Sequence, residues 1–273
     1  MSERYEQPGP DSIPLWDALP DPSSARPDGL IVDGGWLDPY PVPTDRPRGA
    51  VVVLPGGGYS VRANHEAAPI ARRFNQAGLH AFVCHYRVSP NRHPGPLQDA
   101  ARAVRLVRFH AERWGVNPDR VAVLGFSAGG HLCAHLGVSY AQAVCPRHDA
   151  IGALSCRPDA IIPCYAVLDP ALHAGSFRNL LGEKATDEQT SAVSPVDLVH
   201  LDVPPAFLWS TVDDQTVPVA NSLNFASRLA DAGVSFEMHL FPHGRHGLGL
   251  AEAAPDVRQW PALCADWLIR QDF

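Results

Sequence analysis

Gly125-Phe126-Ser127-Ala128-Gly129 sets a serine between two glycines, directly after the apolar run Val121-Ala122-Val123-Leu124 and ahead of a segment with helical character. A strand entering and a helix leaving is the context in which a G-x-S-x-G turn lifts a serine Oγ above the carboxyl edge of a sheet. Glycines at 125 and 129 admit a tight turn and close backbone packing that a Cβ would obstruct. The N–H groups of the following helix would point at the serine. A small-residue turn that happens to hold serine is the competing reading, and the flanking strand and helix favour the nucleophile. Such a serine offers acyl transfer. A hydroxyl is a poor nucleophile at neutral pH, however, so it needs a base, and the base needs an orienting acid.

Two downstream stretches offer those partners in the order serine, acid, histidine, which is the order of α/β-hydrolases. Residues 206–212 read as a strand running into Asp213-Asp214-Gln215-Thr216-Val217-Pro218, and residues 236–241 as one running into Pro242-His243-Gly244-Arg245-His246-Gly247. Catalytic loops collect at such strand ends. Asp214 stands four residues before Pro218, the acid's place in D-x-x-V-P turns of this fold, whereas Asp213 reads as a turn or cap residue. His246, followed by glycine, has the flexible surroundings of a loop base, and His243 lies closer to the strand. Ser127, Asp214 and His246 are therefore the expected triad.

Residues 50–54 form an apolar strand that runs into Pro55-Gly56-Gly57-Gly58-Tyr59-Ser60. Consecutive glycines can turn their N–H groups outward together as an anion-binding nest. The phosphate-loop pattern G-x-x-x-x-G-K-[ST] is absent. Ahead of an elbow, the loop reads as an oxyanion hole rather than a flexible turn. Asn64-His65-Glu66 reads as a helix start that borders the pocket. His131 and His135 have the i, i+4 spacing of metal ligands, but no H-E-x-x-H glutamate accompanies them and their helix runs into the core. No metal and no cofactor is expected. Asp99, Arg87 and Arg102 read as structural pairs.

The elements that must position these groups alternate. Strands are expected at 50–54, 80–86, 121–126, 160–166, 206–212 and 236–241, and helices at 66–77, 96–114, 128–140, 219–232 and 255–270. That alternation predicts an α/β fold, a mostly parallel sheet with helices on both faces. The stretch 167–205 is too long for an ordinary connection and reads as an insertion near the site. Its Asp169, His173, Ser176, Arg178 and Asn179 would make either a rim for substrate hydroxyls or a solvated loop. Residues 1–48 hold ten of the 27 prolines. They read as a proline-rich arm packed on the domain, with a short strand at Leu30-Ile31-Val32. Residues 49–273 are expected to be a single domain.

The formal charge of −7 shows no basic stripe, which argues against nucleic acid. No apolar run reaches the roughly eighteen residues of a membrane span, and Met1 to Pro10 lacks the apolar core of an export signal. The six cysteines (84, 133, 145, 156, 164 and 264) show no C-x-x-C spacing, and several lie in apolar runs. A cytoplasmic, disulfide-free protein is the expectation. The oligomeric state is left open.

Several blocks together are more specific than any one of them. Leu54-Pro-Gly-Gly-Gly-Tyr-Ser60, His65-Glu66, Pro96-Leu-Gln-Asp-Ala100, Gly125-Phe-Ser-Ala-Gly-Gly-His131 and Ser155-Cys-Arg-Pro-Asp159 occur in order. His173-Ala-Gly-Ser176, Asn179-Leu-Leu-Gly182, Val217-Pro-Val-Ala-Asn-Ser222 and Gly244-Arg-His-Gly-Leu-Gly249 follow. Over residues 50–270 this pattern resembles the esterase group of the α/β-hydrolase superfamily that includes bacterial acetylxylan esterases and related feruloyl and acetyl esterases. The resemblance implies an α/β-hydrolase fold, the triad Ser127, Asp214 and His246, and oxyanion donors at the N–H groups of Gly57, Gly58 and Ala128. It implies a small-molecule or oligosaccharide ester as partner, with acetyl on a sugar or polyol first. Tyr59, His65, Glu66 and His173 are the candidate substrate-binding residues. Cys164 and Cys156 depart from the pattern, as does the lack of a visible export signal, and these weaken the transfer of the polysaccharide substrate. A feruloyl esterase, an amide-cleaving serine hydrolase and a non-catalytic binding module are the alternatives. The last usually lacks a triad member, and this chain keeps all three.

Overall fold

The computed structural model describes residues 7–19, 26, 31, 33–143 and 148–273. The proline-rich arm does more than drape over the domain, because it adds two strands to the sheet. β1 (Ile13–Pro14) pairs antiparallel with β2 (Trp36–Tyr40). β2 escapes sequence reading because Pro39 interrupts it. That proline lies where β1 no longer covers β2, at a sheet edge, the position in which a missing N–H is tolerated. Of the expected strand Leu30-Ile31-Val32, Leu30 and Val32 lie outside the described residues.

β3 (Arg48–Leu54) leads through the glycine loop and a 3-10 turn (Asn64–Glu66) to α1 (Ala68–Gln76), then to β4 (His80–His85). The expected helix 96–114 is two pieces, α2 (Gly95–Phe109) and α3 (Ala111–Trp114), separated at His110. Gly115, at φ +68°, ends the second piece and starts β5 (Val116–Phe126). α4 (Ala128–Ser139), β6 (Ala160–Cys164), β7 (Ala206–Thr211), α7 and β8 (Phe236–Phe241) follow, with α8 (Trp260–Arg270) last; α7 spans Ala220–Asp231. Between β6 and β7 the insertion folds as α5 (Ala174–Leu181), α6 (Asp187–Ser191) and a 3-10 turn at Pro195–Asp197. Thr186 and Gln189 form a reciprocal capping box that starts α6.

The eight strands run in the order β1-β2-β4-β3-β5-β6-β7-β8. All pairings from β4 to β8 are parallel, and β2 closes on β4 antiparallel, with Trp36 opposite His85. Alternate residues of each central strand serve opposite cores, as the period of two requires. Val51, Val53, Ala122, Leu124, Ile162, Phe207 and Trp209 face α1 and α8, through Ile70, Phe74, Trp260 and Leu268. Val52, Leu54, Val121, Val123, Ile161 and Leu208 face α2, α4 and α7, through Val104, Leu132 and Phe225.

This topology decides where chemistry can sit. From β3 the chain moves outward to β4, then returns past β3 to β5, so the strand order reverses between β3 and β5. In open parallel sheets a crevice forms at such a reversal, at the carboxyl ends of the strands. The glycine loop leaves one of these two strands and Ser127 leaves the other. No helix among the described residues is long and apolar enough to cross a membrane.

Candidate active site

Ser127 sits at φ +52° and ψ −116°, a conformation that L residues rarely adopt. The glycines around it leave no alternative at their own positions. A Cβ on Gly125 would lie 2.0 Å from the Gly129 carbonyl oxygen, and one on Gly129 would lie 2.2 Å from that of Leu54. The backbone of Ser127 is held on three sides. Its N–H donates to the Cys164 carbonyl (3.0 Å), and its carbonyl accepts from His131 N–H (2.9 Å) and Val167 N–H (3.2 Å). Only the side chain is left free, and it faces the loops after β7 and β8.

His246 Nε2 lies 2.8 Å from Ser127 Oγ, and His246 Nδ1 lies 2.6 Å from Asp214 Oδ2. The other oxygen of Asp214 accepts from the N–H groups of Thr216 (2.8 Å) and Val217 (3.0 Å). Burial raises the Asp214 carboxyl, but the hydrogen bonds from His246 and from the two N–H groups outweigh it and hold the carboxyl below its usual range. With Asp214 accepting at Nδ1, the imidazole keeps its lone pair on Nε2, toward the serine. The neighbouring pair is different in kind. Asp213 accepts from Gly244 N–H (2.7 Å) and His243 Nδ1 (3.0 Å), and both side chains are largely exposed. That pair shapes the loop after β8 and does not reach Ser127.

The glycine loop lies beside the serine. Gly57 and Gly58 have φ of +126° and +63°, and a Cβ on Gly57 would lie 2.4 Å from the Val61 carbonyl oxygen, so glycine is required at 57. Among the described residues, the N–H groups of Gly57, Gly58 and Ala128 have no acceptor in the chain. Gly56 differs, since its N–H donates to Glu66 Oε2 (2.8 Å). Asn179 of α5 donates to the Gly58 carbonyl (2.8 Å), so the insertion is fastened to this loop.

Of the four candidate substrate-binding side chains, two are buried in the structure. Tyr59 is buried, and its hydroxyl lies 2.6 Å from His131 Nδ1. Glu66 is buried too, with Oε1 accepting from Tyr165 Oη (2.5 Å). Both ride on the glycine loop and the 3-10 turn after it, whose backbone turns them inward. They support the site from below instead of lining it. His65 is half-exposed and lies 3.1 Å from the Gly247 carbonyl. His173 is the residue before α5. Burial lowers its pKa, and its own backbone opposes that shift. Its Nδ1 is buried with no hydrogen-bond partner among the described residues.

His131 shows what the i, i+4 histidine spacing does here. Its Nε2 donates to the Val193 carbonyl (2.8 Å), which leaves Nδ1 to accept from Tyr59. Burial pushes its pKa down to about 4, so the ring is neutral and both nitrogens are occupied. Tyr165 was missed by sequence reasoning. It ends β6 at φ +33°, its ring meets that of His246 edge-on at 5.1 Å, and its hydroxyl accepts from Gly249 N–H (3.0 Å). A tyrosine after a strand end carries no mark that distinguishes it from ordinary core.

The BD-FAE family model matches residues 38–229. The chain is 37% identical over 213 residues to endo-1,4-beta-xylanase B of Butyrivibrio fibrisolvens, covering 76% of this chain and 33% of that protein. It is 32% identical over 207 residues to the acetylxylan esterase of Xylanibacter ruminicola, covering 73% and 41% respectively. The chain thus spans between a third and a half of the length of these curated relatives. Among solved structures, an acetyl ester-xyloside bifunctional hydrolase from Caldicellulosiruptor lactoaceticus superposes with a TM-score of 0.87 at 42% identity, covering 97% of each chain. The architecture is the α/β-hydrolase fold.

Proposed function

The chain belongs to the BD-FAE family, and from that premise we propose that it is a serine carboxylesterase removing short acyl groups, acetyl first, from a sugar or xylan-derived alcohol. The observation that carries the reading is the unbroken hydrogen-bonded line from Ser127 Oγ through His246 to Asp214, beside three N–H groups that lack an acceptor. In this reading His246 Nε2 takes the Ser127 proton as Oγ bonds to the ester carbonyl carbon. Asp214 holds the tautomer and stabilises the imidazolium. The carbonyl π electrons move onto oxygen, where Gly57, Gly58 and Ala128 N–H groups receive the charge; one such donor is typically worth about 3–4 kcal/mol. As the tetrahedral adduct collapses, the C–O bond to the alcohol breaks and His246 protonates the leaving oxygen. Water, deprotonated by His246, then attacks the acyl-enzyme, and Ser127 leaves with the returned proton. The mechanism needs no cofactor.

The names of the relatives support an acetyl group and a xylan-type alcohol. His173, whose buried Nδ1 has no hydrogen-bond partner among the described residues, is the candidate left to receive a substrate hydroxyl. The buried thiols of Cys84, Cys133, Cys164 and Cys264 suit a reducing compartment such as the cytoplasm.

The test is kcat/KM across aryl esters from acetate to octanoate, followed by acetate release from acetylated xylo-oligosaccharides, with Ser127→Ala as the inactive control. Acetate should be preferred, and a fluorophosphonate should label the wild type but not the variant. A groove built for fatty chains gains about 0.8 kcal/mol per buried methylene, so clear octanoate preference would reject the acetyl assignment. Preference for anilides over esters would move the protein to the amide-cleaving class.

A further inference from the structure

Glu66 is a buried carboxylate that the acyl-transfer scheme leaves unused. It sits where three separate parts of the site meet. Oε2 accepts from the backbone N–H of Gly56, at the root of the glycine loop. Oε1 accepts from Tyr165 Oη, at the end of β6. Tyr165 Oη in turn accepts from Gly249 N–H, in the loop that carries His246, and the Gly249 carbonyl is pinned by Trp260 Nε1 (2.9 Å). A second tie runs through the preceding residue, with His65 Nε2 lying 3.1 Å from the Gly247 carbonyl and 3.6 Å from Glu66 Oε1.

Burial raises the Glu66 pKa, and the hydrogen bonds from Tyr165 and Gly56, with the charges of His65 and His246, oppose it. Gly56 offers only an N–H. Tyr165 Oη already receives the Gly249 proton, so its own hydrogen has Glu66 as its acceptor. Both carboxylate oxygens therefore accept, and a proton on either would displace a donor. The backbone is shaped for this contact as well. A Cβ on Gly56 would lie 2.6 Å from Glu66 Oε2 and 2.8 Å from the Phe126 carbonyl oxygen, so glycine alone permits the approach. The titratable groups facing His246 are Asp214, Tyr165, His173 and Glu66 itself. Those facing Glu66 are His65, His246, Tyr165, Tyr86 and Cys164, and the only positive charges among them arise on the imidazoles.

We propose that Glu66 is a positioning residue of the acyl-transfer site. As a carboxylate it locks the oxyanion loop at Gly56 to the base-bearing loop at Gly249, and its charge helps Asp214 to favour the imidazolium of His246. The inference rests on the serine-hydrolase reading above and deepens it. It makes one buried group responsible for both halves of the transition state, the negative charge on the carbonyl oxygen and the positive charge on the base.

The experiment compares Glu66→Gln and Tyr165→Phe with wild type. For each, kcat and KM for an aryl acetate, the pH profile of kcat/KM and the rate of fluorophosphonate labelling are measured. Glutamine cannot accept on both sides, because its NH2 meets a donor whichever way it turns. A displacement of about 1 Å at a reacting group can cost about 100-fold, so Glu66→Gln should lower kcat by about 10- to 100-fold with KM within about twofold. Losing the negative charge should also move the acidic limb of kcat/KM to lower pH, by roughly half a unit or more. Tyr165→Phe keeps the carboxylate but removes the hydroxyl that joins Glu66 to Gly249, so it should lower kcat while leaving the limb in place. It also serves should Glu66→Gln fold poorly. An unmoved limb in Glu66→Gln, or a kcat matching wild type in either folded variant, overturns the proposal. Wild type that labels but turns over no ester overturns the ester reading alone, and the labelling rates then decide the role of Glu66.

Discussion

Replacing Asp214 by asparagine changes one atom in a buried carboxyl, yet the surroundings decide which way the new amide must face. Asp214 is 5% exposed, so every polar contact it makes counts. Its Oδ1 serves the Thr216 and Val217 N–H groups at 2.8 and 3.0 Å. Were the asparagine NH2 turned toward them, donors would face donors, costing about 1–3 kcal/mol at the buried Val217 N–H alone. The carbonyl oxygen must stay there, and the NH2 is left facing His246 Nδ1. Nδ1 then becomes an acceptor, the ring proton moves to Nε2, and Nε2–H points at Ser127 Oγ across 2.8 Å. The site keeps its shape and loses its base. Loss of the correct tautomer in a triad costs about 10⁴ in kcat, which corresponds to ~5 kcal/mol in barrier height. The assay is steady-state hydrolysis of an aryl acetate, with near-UV circular dichroism and Tm to verify the fold. Asp213→Asn is the matched control. It touches only Gly244 and His243 at the surface and should lose less than about tenfold. Asp214→Asn activity within tenfold of wild type, or an equal loss in the two variants, would refute the tautomer argument.

Gly129→Ala would drive a methyl to 2.2 Å from the Leu54 carbonyl and 2.5 Å from that of Pro55, so urea denaturation should show a loss of at least ~3 kcal/mol or no soluble protein. Gly233→Ala, with nothing within 4 Å of its Cβ, should cost only the ~1 kcal/mol of a positive φ. The buried neutral His131 makes the fold sensitive to acid. Below the ordinary histidine pKa of ~6.5 the unfolded chain takes up a proton, while the folded ring stays neutral until about 4. Stability should therefore fall as pH drops through that window, by about 3 kcal/mol from this residue, and level off below it. Urea midpoints at pH 7 and 4.5 test this, and His131→Gln should flatten the difference. Ester turnover should survive exhaustive chelation, because both ring nitrogens of His131 are already engaged by Tyr59 and Val193; loss restored by zinc would contradict that.

The central sheet was legible because the run 121–124 and its neighbours are apolar on both faces, and glycine punctuates the turns after β3 and β5. Ser127, Asp214 and His246 were legible because each follows a strand at the same end of a parallel sheet, and the structure brings the three together. Other features depended on contacts that no local pattern records. β2 holds a proline and an aspartate, and is a strand only because β4 offers it an edge. The helix break at His110 falls inside an unbroken amphipathic pattern. Glu66 sits in a polar triplet that reads as a helix start bordering the pocket, yet the chain turns it inward beneath Gly56. Tyr165 gains its place from two partners, Glu66 and Gly249, that are remote in sequence.

The proline-rich arm has a consequence for where this protein can be cut. The family match begins at residue 38, inside β2, and stops at 229, inside α7, so it contains neither the full edge strand nor His246. Similarity and self-sufficiency mark different borders. Leu15, Ile31, Trp36 and Leu37 are all fully buried, the Trp36 ring stacks on His85 at 4.4 Å, and the Leu15 and Ile31 carbonyls accept from Arg102 and Arg62. A chain trimmed to the start of β3 would bare the hydrogen-bonding rim of β4 along five residues, beside freshly exposed leucine and tryptophan sites. An open rim of that kind templates strand exchange between molecules. The arm thus covers the rim of β4 that would otherwise stand open.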